Sequence, residues 1–456
     1  MGRDAVVLLN WAETGKPPLL GPQTSVVSYN QSAWYFYFLF PFFYLTKYWA
    51  FSSTLTLTFV ALLIYTFLSY LTRKNHHLFF SVSFCMFFLS IQPQVVLQNR
   101  FIWNPSFVPY FLLPSLVALI QLRKEVSNLW LAIFCTGIAF AVGFSYSSIP
   151  LVFLLIVYLA VTQRKYWMKI FGFCSAAAAL VLLPLIAFEI RHNFALTRLF
   201  ITGQTTPQDQ INYSIKSTLL RTFLFPNLSS SIVAILLTVF MAIIVGQLFI
   251  FYKQGKKEKT TLLLIFSVLF IFLLSSVYLL PVNIEKHYIF PLLTLGIFLL
   301  TLLQKKLAVI LGVILCVHWL NPINTFNSAT FQPAVRSVAE MEKCYREFCS
   351  GYTNPSYISM ESGILAGYHN APEHQFFLRK AGCHILDIES SQDQAKAMLV
   401  IQDKGHFDPG NTGYRELSLF GPYVLGQTKK CTNVLSIQEI TKPSLSNERE
   451  KIFKPQ

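Results

Sequence analysis

The first 330 residues carry only seven carboxylates: Asp4, Glu13, Glu125, Glu189, Asp209, Glu258 and Glu285. The chain around them is 54% hydrophobic, so each acid is either solvated beside a lysine or kept for a task. Glu125 and Glu258 sit among Arg123-Lys124 and Lys256 through Lys259 and read as solvated. Three other places concentrate groups that could do chemistry. They are Arg100 with Asn104 in QNRFIWNPSF, Glu189 with Arg191 and His192 in FEIRH, and Glu285 with Lys286, His287 and Tyr288 in EKHY. A guanidinium grips a phosphate with two parallel hydrogen bonds, and Lys and His add positive charge. A carboxylate takes the proton from an attacking hydroxyl as general base. These are the parts of a transfer reaction whose leaving group is a phosphate. Each cluster also has a plainer reading, since Arg and Lys near helix ends snorkel to headgroups and adjacent Glu–Arg neighbours form surface pairs. What favours chemistry is that all three fall on one side of a membrane.

That side follows from the elements that must position them. A helix crosses the hydrocarbon core in about 20 apolar residues. Uncharged runs of that order lie near 51–71, 78–95, 106–122, 127–143, 148–162, 170–188, 230–252, 260–281, 288–304 and 307–320. This predicts ten spans, with the double-length stretch 126–163 broken at Gly143–Pro150. After every second run comes a basic loop: Arg73-Lys74, Arg123-Lys124, Arg164-Lys165 with Lys169, Lys253 through Lys259, and Lys305-Lys306. Cytoplasmic loops collect Lys and Arg, so these five are assigned inside. The loops near 92–105, 144–147, 189–229 and 282–287, and everything after the last span, are then outside. The loop at 189–229 is too long for a simple connector and reads as functional. Residues 33–46 (AWYFYFLFPFFYLT) are apolar but short, aromatic and interrupted by Pro41, which suits an interfacial helix.

The net charge of +15 raises the question of nucleic acid. Residues 1–330 hold 22 Lys/Arg against the seven acids, whereas residues 331–456 hold 14 of each sign. The surplus is thus confined to the membrane half, where it orients the chain and attracts anionic headgroups. A nucleic-acid footprint would need a basic face on a soluble domain and is excluded. From about residue 331, helix-like stretches (334–348, 372–381) mix with strand-like ones (355–359, 383–388, 397–402, 419–425, 433–439), predicting a small α/β domain. It has no Gly-rich phosphate cradle. Cys344, Cys349, Cys383 and Cys431 fall in it, allowing three pairings and one or two disulfides, while Cys85, Cys135, Cys174 and Cys316 lie in spans and read as packing residues. The expected organisation is a first outer loop with its aromatic helix (1–50), a transmembrane domain (51–330), an extracytoplasmic α/β domain (331–441) and a polar, disordered tail (442–456).

Several of these stretches resemble one family. The opening GRDAVVLLNWAETGKPPLLGPQTS followed by AWYFYFLFPFF resembles the first outer loop of bacterial glycosyltransferase family 39-like proteins. These are membrane enzymes of the GT-C fold class, related to protein O-mannosyltransferases and lipid A aminoarabinose transferases. RFIWNPSFVPYF resembles their second outer loop, and FEIRH and EKHYIFPLL have counterparts there too. The resemblance covers about residues 1–320 and implies a GT-C-like polytopic fold. It implies transfer of a sugar from a polyprenyl-phosphate carrier to a lipid, glycan or protein hydroxyl on the outer face of a bacterial plasma membrane. Arg3, Arg100, Asn104, Arg191, His192, Lys286, His287 and Tyr288 would then contact substrate or phosphate, with Asp4 and Glu189 as carboxylates. A divalent metal is compatible with such chemistry, but the sequence names no cofactor. The family's first-loop base precedes the residues matching Gly2-Arg3-Asp4, and its second-loop acid would fall at Asn104, which cannot act as a base. This predicts that the protein extends upstream by a transmembrane helix and at least one more acid. The rival readings are a transporter, whose midplane polar residues would sit on broken helices, a lipid-linked polysaccharide polymerase or ligase, and a non-catalytic assembly protein.

Overall fold

The ten apolar runs are mainly helical over their described residues, the run at 78–95 being divided at Gln92 between two helices. The structure, a computed structural model, describes residues 2–23, 30–49, 51–100, 102–201, 228–279, 286–320, 338–350, 357–363, 372–386, 395, 397–403, 407, 415–433, 435–443 and 453. The chain divides into two units, Met1–Lys16 with Phe326–Gln456, and Pro17–Thr325.

The larger unit starts with α2 (Trp34–Leu45), α3 (Ser52–Thr72), α4 (His76–Ile91) and α5 (Pro93–Arg100). It continues through α6 (Val108–Lys124), α7 (Asn128–Phe144), α8 (Ile149–Thr162), α9 (Trp167–Arg191) and α10 (Ala195–Ile201). Of the loop expected at 189–229, residues 202–227 lie outside the described residues; then come α11 (Ser230–Lys253), α12 (Lys257–Leu279), α13 (Phe290–Thr301) and α14 (Lys305–Leu320). Among the described residues, five stretches are long and apolar enough to cross a membrane: Ser52–Thr72, Asn104–Lys124, Arg164–Arg191, Ser231–Lys253 and Lys257–Val277. The sorting of helices between core and periphery follows their faces. α6 and α13 are apolar all round and almost wholly buried, as helices at the centre of a bundle must be. α3, α9 and α11 turn Phe59, Leu62, Leu183, Ile190, Ile235 and Val239 outward, a surface suited to lipid rather than water. α7 packs closely on α6 because Gly137 admits it; a Cβ there would sit 2.2 Å from Ser115 Oγ and 2.5 Å from the Phe111 carbonyl.

The break predicted at Gly143–Pro150 is present. α7 ends at an extended Ser145, a 3-10 turn spans Tyr146–Ser148, and α8 restarts with Pro150 in its first turn, where a missing N–H costs nothing. The 12-residue α2 is about 18 Å long, short of the ~30 Å hydrocarbon core. The basic loops gather at one end. Asn75, His77, Lys124, Glu258, Lys259 and Leu302 line one cavity of about 190 Å³, and Lys124 Nζ lies 3.9 Å from Glu258 Oε1. Gln163 Nε2 donates to the Leu122 and Arg123 carbonyls at 3.0 and 3.3 Å, which brings the Arg164-Lys165 connection to the same end.

The smaller unit is a mixed sheet with helices. β1 (Tyr357–Gly363) pairs parallel with β2 (Ala397–Asp403), β2 antiparallel with β4 (Leu435–Thr441), and β4 antiparallel with β3 (Val424–Lys430), giving the order β1-β2-β4-β3. Ala397–Ile401 of β2 is buried throughout, as expected of an apolar run inside a sheet. β3 is exposed along most of its length and carries Lys429 and Lys430, charges that discourage pairing at a sheet edge. The helices are α15 (Val338–Ser350), α16 (Pro372–Lys380) and α17 (Arg415–Phe420). The strand expected at 419–425 is instead the end of α17, a turn at Gly421, and the start of β3; of the strand expected at 383–388, the described part, 383–386, is not strand. Two disulfides, Cys344–Cys431 and Cys349–Cys383, select one of the three possible pairings and tie α15 to the end of β3 and to the turn after α16.

Two segments differ from the sequence reading. The opening residues form α1 (Gly2–Thr14), which packs on α16 and so groups with the α/β unit; Arg379 binds both Asn10 Oδ1 and the Glu13 carboxylate. The tail read as disordered returns Phe453 to the sheet, where it bridges to Tyr423 through backbone bonds of 3.0 and 2.9 Å and stacks on its ring.

Candidate active site

At the bundle end opposite the basic loops, the three short 3-10 segments Asn104–Phe107, Tyr146–Ser148 and Lys286–Ile289 meet. Segments from two of the predicted clusters therefore come together here, with the Tyr146–Ser148 turn beside them. Asn104 is buried and donates from Nδ2 to the Phe144 carbonyl at 2.6 Å, satisfying an acceptor left over at the end of α7. Its amide thereby fixes the second loop to the α7–α8 break.

A strap from the first loop crosses this end. Gly21 N donates to the Gln31 carbonyl at 3.0 Å and Asn30 Nδ2 to the Gly21 carbonyl at 2.8 Å, closing the strap on itself. Only glycine fits at position 21, since a Cβ would lie 2.3 Å from the Ser32 carbonyl oxygen. Ser32 then donates from its backbone to the Gly143 carbonyl (3.0 Å) and from Oγ to the Val181 carbonyl (2.7 Å). Trp34 Nε1 donates to the Leu180 carbonyl at 2.9 Å. That acceptor exists because Pro184, four residues on, has no N–H to offer it within α9. Tyr35 O–H reaches the Ile102 carbonyl at 3.0 Å and Tyr146 O–H the Asn30 carbonyl at 2.8 Å. Beneath the strap, Phe38 packs among Phe107, Phe111, Phe140 and Phe144, with centroids 5.6 to 6.0 Å away. The aromatic run thus anchors the loops that carry Arg100, Asn104 and the α7–α8 break.

The remaining predicted residues divide. Arg100 ends α5, and Lys286 and His287 open their 3-10 segment; their side chains lie outside the described residues, as do Asp209 and Glu285 entirely. Tyr288 is half-buried. Arg191 and His192 are exposed at the end of α9, where the imidazole stacks on Phe188 (4.0 Å) with Nδ1 2.9 Å from the Phe188 carbonyl. Arg3 is exposed and Asp4 buried in the first turn of α1, with Arg3 Nε 3.4 Å from Asp4 Oδ1.

Glu189, at the end of α9, is held by the start of α10. Its carboxylate accepts from Leu196 N (3.0 Å), Thr197 N (3.1 Å) and Thr197 Oγ1 (2.7 Å). The two backbone donors are N–H groups of the first turn of α10, which have no partner within a helix. The chain reaches that turn by a tight reversal in which Asn193 and Phe194 both adopt positive φ, 53° and 59°. Asn tolerates this conformation; Phe does not, and the carboxylate clamp offsets the strain. Three hydrogen bonds from the start of α10 suit a carboxylate that positions this helix, and they leave one of its roughly four acceptor sites open. Among the described residues no cluster of three or more His, Cys, Asp or Glu could hold a metal ion.

No protein-family model matches the chain, and no curated protein matches it in sequence. Its fold is similar to that of ArnT from Cupriavidus metallidurans, crystallised bound to undecaprenyl phosphate. The TM-score is 0.57 at 11% identity, over 96% of this chain and 93% of that one. The chain therefore has an ArnT-like fold: a predominantly helical protein with several apolar helices of spanning length and a small C-terminal sheet.

Proposed function

We propose that this protein is a membrane glycosyltransferase that takes a sugar from a polyprenyl-phosphate carrier and passes it to a hydroxyl acceptor on the outer face of the membrane. The observation that carries the reading is the likeness of fold, along nearly the whole of both chains, to a protein that binds undecaprenyl phosphate. The meeting of the Asn104–Phe107 and Lys286–Ile289 segments supports it, because it brings two of the candidate loops to one bundle end. Two disulfides in the α/β unit suit an oxidising compartment and thus support an extracytoplasmic domain.

In the reaction, the acceptor oxygen attacks the anomeric carbon and the bond from that carbon to the phosphate oxygen breaks. The electron pair leaves on the polyprenyl phosphate, and the acceptor proton passes to a carboxylate. Arg100, Arg191, Lys286 and His287 are assigned to the phosphate, with Arg3, Asn104, His192 and Tyr288 as further substrate contacts. Asp4, the acid nearest to the family's first-loop base, is assigned as the proton acceptor if no further acid precedes it. Purified protein in vesicles is supplied with polyprenyl-phosphate-linked radiolabelled sugar and a hydroxyl acceptor. Label should move to the acceptor; Asp4→Asn should abolish the movement if Asp4 is the base and spare it if the base lies upstream. Arg100→Lys should already lose about ten- to a hundredfold, since a charge-assisted contact is worth roughly 1.5–3 kcal/mol and Lys lacks the planar fork. Label that enters the vesicles without changing its carrier would show a transporter instead.

A further inference from the structure

A cavity of about 550 Å³ lies between α3, α4, α5 and α6, beside the helix that ends in Arg100. Its walls are unusual for an intramembrane position: Thr54, Thr58, Tyr65, Ser83, Asn99 and Tyr110 all line it. Asn99 Nδ2 donates to Tyr110 Oη at 3.2 Å, while Asn99 Oδ1 and Ser83 Oγ are buried with no partner among the described residues. Turning the amide over would only exchange which end is left unpaired. Unpaired polar atoms are costly at membrane depth, where no water is present to meet them. The lip of the cavity is formed by Leu62 and Phe87, 59% and 50% exposed on the outward surface, so it opens sideways toward lipid.

The geometry sets the length of an occupant. From Thr54 to Tyr65 along α3 is roughly 16 Å at 1.5 Å per residue. That is about half of the ~30 Å hydrocarbon core, one leaflet deep, starting from the end that carries the candidate site. A polyisoprenoid tail has no hydrogen-bonding atom to offer Asn99 or Ser83. It is better matched by a second cavity, about 340 Å³, among Leu236, Phe240, Ile243, Leu293 and Ile297.

We infer that the groove between α3 and α4 holds a single-leaflet acyl lipid bearing hydroxyl or amide groups, entering sideways past Leu62 and Phe87, with its polar part against Asn99 and Tyr110. That this lipid is the sugar acceptor rests on the transferase reading; its binding does not.

The test therefore needs no turnover. p-Benzoylphenylalanine replaces Leu62 in the full chain, reconstituted in phosphatidylcholine vesicles containing tritiated glucosyl diacylglycerol, and is photoactivated. The probe should crosslink well above the level given by the same replacement at Phe153, which is 64% exposed on α8 away from the groove. Asn99→Leu should reduce that crosslink at least tenfold, and Thr58→Val, a milder change on the same wall, should reduce it measurably if Asn99→Leu fails to fold. Excess undecaprenyl phosphate should leave it unchanged. Labelling no stronger than at Phe153, labelling indifferent to both substitutions, or displacement by undecaprenyl phosphate would overturn the inference. Crosslinking as expected in a protein that transfers no sugar would leave the groove assignment standing and sink only the transferase reading.

Discussion

Replacing Glu189 by glutamine separates two parts that one carboxylate could play at the end of α9. In the structure it receives three hydrogen bonds, from Leu196 N, Thr197 N and Thr197 Oγ1. Glutamine keeps one carbonyl oxygen with two lone pairs but turns an NH2 group toward donors, so at least one bond is lost and one donor is opposed. A hydrogen bond to a charged group contributes about 1.5–3 kcal/mol, and that is the expected loss in the stability of the 189–201 turn. Backbone amide exchange at Leu196 and Thr197 should accelerate by roughly ten- to a hundredfold. If the group positions α10 and moves no proton, transfer should fall by less than about tenfold. Thr197→Val should lower protection alone, and its effect should shrink in the Glu189→Gln background because both remove the same contact. Phe194→Gly should recover about 1 kcal/mol in that background by relieving the positive φ at residue 194. A general base behaves otherwise: its removal costs about 10²–10⁴ in rate with the fold intact. Glu189→Gln with unchanged exchange and transfer reduced a thousandfold would refute the positioning role.

Trp34→Phe leaves the Leu180 carbonyl without its indole donor and should cost about 1 kcal/mol in thermal denaturation. Adding Pro184→Ala should return most of it, since alanine supplies the missing helical N–H; if the pair of changes is simply additive, the proline-orphaned carbonyl is not what Trp34 serves. The disulfides close spans of 87 and 34 residues, worth roughly 4–5 and 3–4 kcal/mol by loop entropy. Cys344→Ser with Cys431→Ser should therefore make the α/β unit protease-sensitive while far-UV helicity of the bundle persists, and undiminished resistance would contradict this. In intact cells, a cysteine placed at Lys429 should react with an impermeant maleimide and one at Lys256 should not, the reverse pattern inverting the assigned orientation.

Much of this protein could be read locally. Hydropathy marks the apolar runs as helical, because a helix facing lipid or buried in a bundle must be apolar along most of its length. The spacing of the basic loops was enough to put Lys124, Glu258 and Lys259 at one end, where the structure brings them together around one cavity. Pro150 announced the α7–α8 break, because its ring suits only the start of a helix. The shift to balanced charge after residue 331 marked a second unit. Other features depend on partners far away in the chain, and a local pattern cannot name them. Glu189 in FEIRH looks like a free acid until the reversal at Asn193-Phe194 brings α10 back onto it. Trp34 looks like an interfacial aromatic, yet its indole meets a carbonyl 146 residues later, exposed only because Pro184 interrupts α9. Asn10 and Glu13 belong with Arg379, so the opening helix joins the C-terminal unit, a pairing that amphipathicity allows but does not specify. The choice of Cys344–Cys431 and Cys349–Cys383 among three pairings, and the gathering of Ser83, Asn99 and Tyr110 around one lipid-facing groove, were likewise decided by packing. Composition and period determine which segments leave water; which side chain then meets which is fixed only when the helices close on one another.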